Sequence, residues 1–117
     1  MRRVLPIIAL AIATPAYADE GWDRIKHMEV AWQVLNAADF ATTEYCLRRG
    51  TCHEGNPIIG SDPSTAKLAA YKIGTGALHY IIARHLADRD PKAARIFEIA
   101  SIVVQGGVVV ANLRFVF

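Results

Sequence analysis

The chain has 117 residues, room for one domain, and 53% of them are hydrophobic against 21% charged, a balance that excludes a disordered chain. The formal net charge is only +2, and after the first few residues no basic run exceeds Arg48-Arg49, so no nucleic-acid surface is expected.

Met1 to Ala18 reads as a secretory signal peptide. Arg2 and Arg3 form the basic start, Val4 to Ala13 the apolar run, and Ala16-Tyr17-Ala18 the small-x-small cleavage box. The segment carries two arginines and no acids, so the remaining 99 residues, 19–117, balance 11 basic against 11 acidic groups. Those residues are expected to form a single helical domain. If the segment were retained, it would be a short anchor, below the roughly 20 residues that span a bilayer comfortably.

A first helix is expected over about Asp23 to Arg49. Val30, Trp32, Val34, Leu35, Phe40, Tyr45 and Leu47 supply its apolar surface, and Asp39 and Glu44 interrupt it. Asn36, Asp39 and Thr43 follow at i, i+3 and i+7, one face of a helix. Cys46 and Cys52 come next, in a C-x5-C spacing that is not a usual zinc or redox motif. Gly50 can take the left-handed conformation that ends a helix and turns the chain back. That turn would bring the two cysteines within disulfide range, provided the compartment is oxidising. Two free thiols are the alternative if this loop faces the cytoplasm.

The loop that follows reads Glu54-Gly55-Asn56-Pro57-Ile58-Ile59-Gly60-Ser61. Pro57 drives Asn56 toward an extended conformation, and Gly60 permits a turn. Glu54 and Asn56 could hydrogen-bond the ends of the flanking helices; a plain tight connector is the simpler reading. Asp62-Pro63-Ser64 opens the second helix, with Asp62 as N-cap and Pro63 in the first helical position. Leu68 to Leu86 is mostly apolar, Lys72, Thr75 and His79 share a face, and Gly74 and Gly76 permit close helix contact. The third helix repeats the start signal as Asp90-Pro91. From Ile96 to Leu113 it has one formal charge, Glu98, and Glu98, Gln105 and Asn112 recur at sevens, within about 40° of one face. Val108 to Val110 could locally form a strand, but the apolar run is too long for one, and helix is expected.

The fold class is thus all-α: a small bundle of three helices after an N-terminal signal, two of them, the second and third, expected to be transmembrane. The polar stripes are expected to face each other. They have two readings. One is interhelical hydrogen bonding that holds the bundle together, which is the expectation here. The other is a buried acid–base set of Asp39, His79 and Glu98 acting as a proton relay or enzyme accessory. No metal is expected, because no helix carries an H-x3-H or E-x2-H pair. No cofactor is expected either: Gly74-Thr75-Gly76 lacks the rest of a dinucleotide fingerprint, and no G-x-S-x-G nucleophile motif occurs.

Asp39, Thr43, the Glu54-x-Asn56-Pro57-Ile58-Ile59-Gly60 loop, the Pro63-Ser64 helix start and the late Gly106-Gly107 and Asn112 together resemble a family of small bacterial and prophage-type membrane proteins, largely of unassigned function. The resemblance runs over roughly Asn36 to Phe117. Members often carry an aromatic pair before the glutamate, where this chain has Cys52-His53. The resemblance implies a small multi-helix inner-membrane protein and no known chemistry. The expected function is accordingly a non-enzymatic integral membrane protein of the bacterial inner membrane, in contact with lipid and acting through helix contacts with itself or a larger membrane protein. A compact periplasmic or secreted helical binding or inhibitor protein is the alternative. Basic residues around Arg84 to Arg95 favour that connection as cytoplasmic, with the first helix on the surface or in the periplasm; both connections switch sides if the first helix spans.

Overall fold

The computed structural model describes residues 16–50, 52, 54 and 58–116, and the expected signal lies mostly outside them, as do Asn56 and Pro57. Three helices account for most of the described chain: α1, Ala16–Arg48; α2, Thr65–Arg89; and α3, Pro91–Val116. No strand occurs among the described residues, and Val108 to Val110 are helical. The chain is an all-α bundle running up, down and up, with α1 packed most extensively on α3.

Helix α1 begins seven residues before the expected start, so the cleavage box at Ala16 to Ala18 falls in its first turn. The stretch from Ala16 to Arg48 contains no proline and a single glycine, so nothing interrupts the helix once it has begun. Its end is set by Gly50, whose φ of 71° is left-handed and whose N–H donates to the Leu47 carbonyl at 3.0 Å. The returning chain carries Cys52 to Cys46, and the two form a disulfide with Cα atoms 5.6 Å apart.

The start of α2 differs from expectation. Ser64, not Asp62, is the N-cap, and its hydroxyl accepts from the Lys67 N–H at 3.1 Å. With Pro63 in the first helical position, the Pro63 carbonyl would receive that N–H. Arg48 takes the carbonyl instead, at 2.6 Å, and fastens the end of α1 to the loop. The α2–α3 turn is the minimum possible. Asp90 closes α2 through its N–H to the Leu86 carbonyl at 2.7 Å. Its carboxylate then opens α3 by accepting from the Ala93 N–H at 3.1 Å, with Pro91 in the first helical position as expected.

On α1 the buried positions are Gly21, Ile25, Glu29, Trp32, Asn36, Asp39, Thr43, Cys46 and Leu47, in steps of three or four up to Cys46. Such spacing puts them on one stripe, the seam that faces the other two helices. The two ends of the seam are apolar. Ile25, Ala83, Ala87 and Ala94 close one end, and Leu47, Ile59 and Leu68 the other. Between them the interior is polar.

Of the two helices expected to be transmembrane, only α3 is long and apolar enough to cross a membrane by itself, over Pro91–Arg114. Helix α2 falls short because Lys72, His79, Arg84 and His85 lower its hydropathy. Close packing also uses fewer glycines than expected. A Cβ on Gly76 would meet the Gln33 Oε1 at 2.9 Å, whereas Gly74 faces open space. The tightest approach is at Gly21, where a Cβ would sit 2.3 Å from the Ala87 carbonyl oxygen.

Gly21→Ala is therefore expected to push α1 off α2 and destabilise the bundle by about 1–3 kcal/mol. Gly74→Ala is expected to be neutral or stabilising, through helix propensity alone. Thermal melts followed by circular dichroism check both. Mass spectrometry after thiol alkylation without reductant is expected to find Cys46 and Cys52 unlabelled, and labelled after reduction.

Candidate functional site

The polar interior divides into two centres. The first is built on Asp39. Its Oδ1 accepts from the Asn112 amide at 2.7 Å and the Thr43 hydroxyl at 3.1 Å. Its Oδ2 accepts from the Gln105 amide at 2.9 Å and forms an ion pair with Lys72. One carboxylate thus joins all three helices. Asn112 also donates to Thr42 Oγ1 at 3.0 Å, and one turn earlier on α1 Asn36 donates to the Lys72 carbonyl at 2.9 Å. Thr75 bonds back to its own helix, at the Lys72 carbonyl.

The second centre lies deeper toward the α2–α3 turn. His79 Nδ1 is 2.7 Å from Glu29 Oε2, and Nε2 is 2.8 Å from Ser101 Oγ. The imidazole is clamped flat on Trp32, with centroids 3.6 Å apart and planes within 4°, and Phe97 covers it at 4.5 Å. Gln33 fixes the other oxygen of Glu29 at 2.7 Å and is itself held by the Gly76 carbonyl at 2.8 Å. Glu98 completes the centre. One donor atom each from Glu29, His79 and Glu98 lie within 4.8 Å of one another, and all three residues are buried. Both carboxylate oxygens of Glu98 are buried without a hydrogen-bond partner among the described residues.

The donor inventory orders this centre. Ser101 has one hydroxyl hydrogen, and it points back along its helix to the Phe97 carbonyl at 2.7 Å. When that hydrogen stays on the carbonyl, the oxygen accepts from His79, Nε2 carries the ring hydrogen, and in the neutral ring Nδ1 is a lone pair aimed at the carboxylate of Glu29. The tautomer with Nδ1–H donating to Glu29 fits the same distances.

The set Asp39, His79 and Glu98 is consequently split. Asp39 keeps company with Lys72, Gln105 and Asn112, while His79 and Glu98 meet Glu29. Glu29 is not among the expected site residues, although Glu29, Asn36 and Thr43 recur at sevens just as Glu98, Gln105 and Asn112 do. Among the loop residues, the Glu54 N–H donates to the Ser61 carbonyl at 2.7 Å, closing the loop on itself, and Gly60 has a φ of 84°. No family model, curated protein or solved structure matches the chain.

Breaking the Asp39–Lys72 pair from one side leaves a buried charge. Asp39→Asn is expected to cost about 3–5 kcal/mol, and the double variant Asp39→Asn/Lys72→Met to recover most of it. Denaturation of the four proteins of this cycle measures the coupling directly.

Proposed function

We propose that the chain is a small non-enzymatic membrane protein whose helices present an apolar exterior to lipid, and which acts through helix contacts with itself or a membrane partner. One observation carries this reading. Across the middle of the bundle, from 30 to 43 on α1, 68 to 83 on α2 and 96 to 113 on α3, the ionisable side chains are Asp39, Lys72, His79, Glu98 and two tyrosines. Asp39, His79 and Glu98 are buried, and the Lys72 side chain is 15% exposed. Val30, Val34, Ile73, Ile81, Val103 and Val104 over the same span are each at least 60% exposed. Exposed charge lies at the ends, as at Asp23 and Lys26.

A protein that folds in water hides its apolar residues first, and patches larger than a few hundred Å² rarely stay exposed. This bundle does the reverse. A bilayer rewards that arrangement, since a charge is tolerated there only when turned inward and paired. Helix α3 supports the same reading: only 11% of its apolar window is buried by its neighbours. Because α1 lies along α3 for most of its length, α1 and α2 would sit at the same depth. Their polar stripes are then no obstacle, being turned toward each other. A secreted bundle would have to cover this surface with a partner.

Fractionation separates the two. The full chain is expected to pellet with membranes, resist carbonate and require detergent for extraction. Recovery of folded, monomeric protein by osmotic shock would overturn the membrane reading.

A further inference from the structure

We propose that Glu29, His79 and Glu98 bind one divalent first-row transition ion, with Zn²⁺ as its representative, through one oxygen of each carboxylate and Nδ1 of the imidazole. The inference goes beyond the membrane reading and does not depend on it, because it rests on the packing between the helices and not on what surrounds them.

Four observations converge. The first is distance. Donors about 2.0–2.2 Å from a tetrahedral ion lie roughly 3.4 Å apart. One donor atom from each residue, a ring nitrogen and two carboxylate oxygens, already lies within 4.8 Å of the others, so small side-chain rotations close the set. The second is Glu98, a fully buried carboxyl group whose two oxygens meet no donor among the described residues and whose charged form is opposed by the neighbouring Glu29. The third is the imidazole. With Nε2–H on Ser101 at 2.8 Å, the Nδ1 lone pair is turned to Glu29 Oε2 at 2.7 Å, where an ion would sit between them. Metal-bound histidines characteristically donate their other ring N–H in this way, and the bond fixes both tautomer and ring direction. The fourth is rigidity. Trp32 and Phe97 hold the ring from both faces, and Gln33 holds Glu29, so the donors are organised before an ion arrives.

The charges balance as well. A dication cancels two carboxylates and satisfies the neutral imidazole in one step. Protons would have to be placed separately between His79 and Glu29 and on Glu98. One imidazole with two carboxylates suits Zn²⁺, Fe²⁺ or Mn²⁺ better than the soft ions that seek thiolates. The cysteines of this chain are already committed to each other.

The test is a titration of the full chain, purified in detergent and stripped with a chelator, with Co²⁺ as the spectroscopic substitute for Zn²⁺. One Co²⁺ per chain is expected, with visible ligand-field bands that Zn²⁺ bleaches stoichiometrically. Glu98→Gln and His79→Gln are expected to abolish the bands. Ser101→Ala, which removes only the group that positions the ring, is expected to weaken binding on the order of 10–100-fold. His27→Gln and His85→Gln are expected to change nothing. Circular dichroism reports whether each variant is folded; should the glutamate or histidine variant not fold, the Ser101→Ala affinity and the wild-type stoichiometry decide. A folded wild-type chain that takes up neither Co²⁺ nor Zn²⁺ would overturn the proposal and leave the centre as a proton-bearing cluster. Binding undiminished in the folded Glu98→Gln/His79→Gln double variant would overturn it equally, by placing the ion elsewhere. Neither result depends on how the chain fractionates.

Discussion

The fold turns on the carboxylate of Asp39. It accepts from its own helix through Thr43, from α2 through Lys72 and from α3 through Gln105 and Asn112. Hydrogen bonds to a charged group contribute about 1.5–3 kcal/mol each when desolvated, more than neutral ones. More important is their direction. Three helices with small, interchangeable apolar faces could slide or rotate against one another at little cost. A single buried anion with donors fixed at 72, 105 and 112 admits one register, and that register in turn brings Glu29, His79 and Glu98 to the same level of the seam.

The division of labour between the two centres follows from how completely each is satisfied. At Asp39 both oxygens have two partners, one of them a cation. A closed network of this kind rigidifies and specifies a structure. At Glu98 neither oxygen has a partner, although the residue is fully buried. The two apolar plugs make this possible. Ile25, Ala83, Ala87 and Ala94 seal the end beside Glu29, and the disulfide end carries Leu47, Ile59 and Leu68. Small alanines on α2 and α3 let the helices approach closely there, in the manner of bundles packed by small residues.

Much of the architecture was legible in the residues. Asp90-Pro91 marks the α3 start without ambiguity, because one side chain caps and the next residue needs no N–H partner. Gly50 marks the end of α1, because its φ of 71° is one that a Cβ disfavours. Sevenfold spacing on α3 places Gln105 and Asn112 on the side that meets α1. What the sequence hid is long-range. At Asp62-Pro63-Ser64 two side chains compete to cap, and Arg48, fifteen residues earlier, decides between them by taking the Pro63 carbonyl. Gly74 and Gly76 look alike in the chain, yet they differ by two residues and so by roughly half a helical turn. One faces Gln33 and the other faces outward. A metal motif on one helix shows as a pair at fixed spacing, while this cluster takes one residue from each of three helices and leaves no local spacing. Asp39 and His79 each lie on a polar stripe, but stripes align along their length, and residues meet only where their levels match. Asp39 lies level with Lys72, a full two turns from the level of His79.

An inverted bundle imposes a requirement that an ordinary one does not. When the exterior is apolar, hydrophobic burial between helices no longer drives association if the surroundings are lipid, and cohesion must come from packing and polar contacts inside. The interior polar groups then cannot be exchanged for leucines without loss of the helix pairing they specify. Their number is also limited, since each buried charge must find a partner. Asp39 finds Lys72, and Glu29 takes the Gln33 amide and lies against His79. Glu98 stands outside this pairing: it is an additional carboxylate set beside one already engaged, on the helix with the most apolar surface and the least need of polar cohesion. Structural hydrogen bonding accounts for Asn36, Gln105 and Asn112, each of which donates to a neighbouring helix. It does not account for a second buried carboxyl group set against Glu29, and this separates the Glu29–His79–Glu98 centre from the rest of the polar seam as the place where an ion, or a proton held between the two carboxyl groups, completes the set.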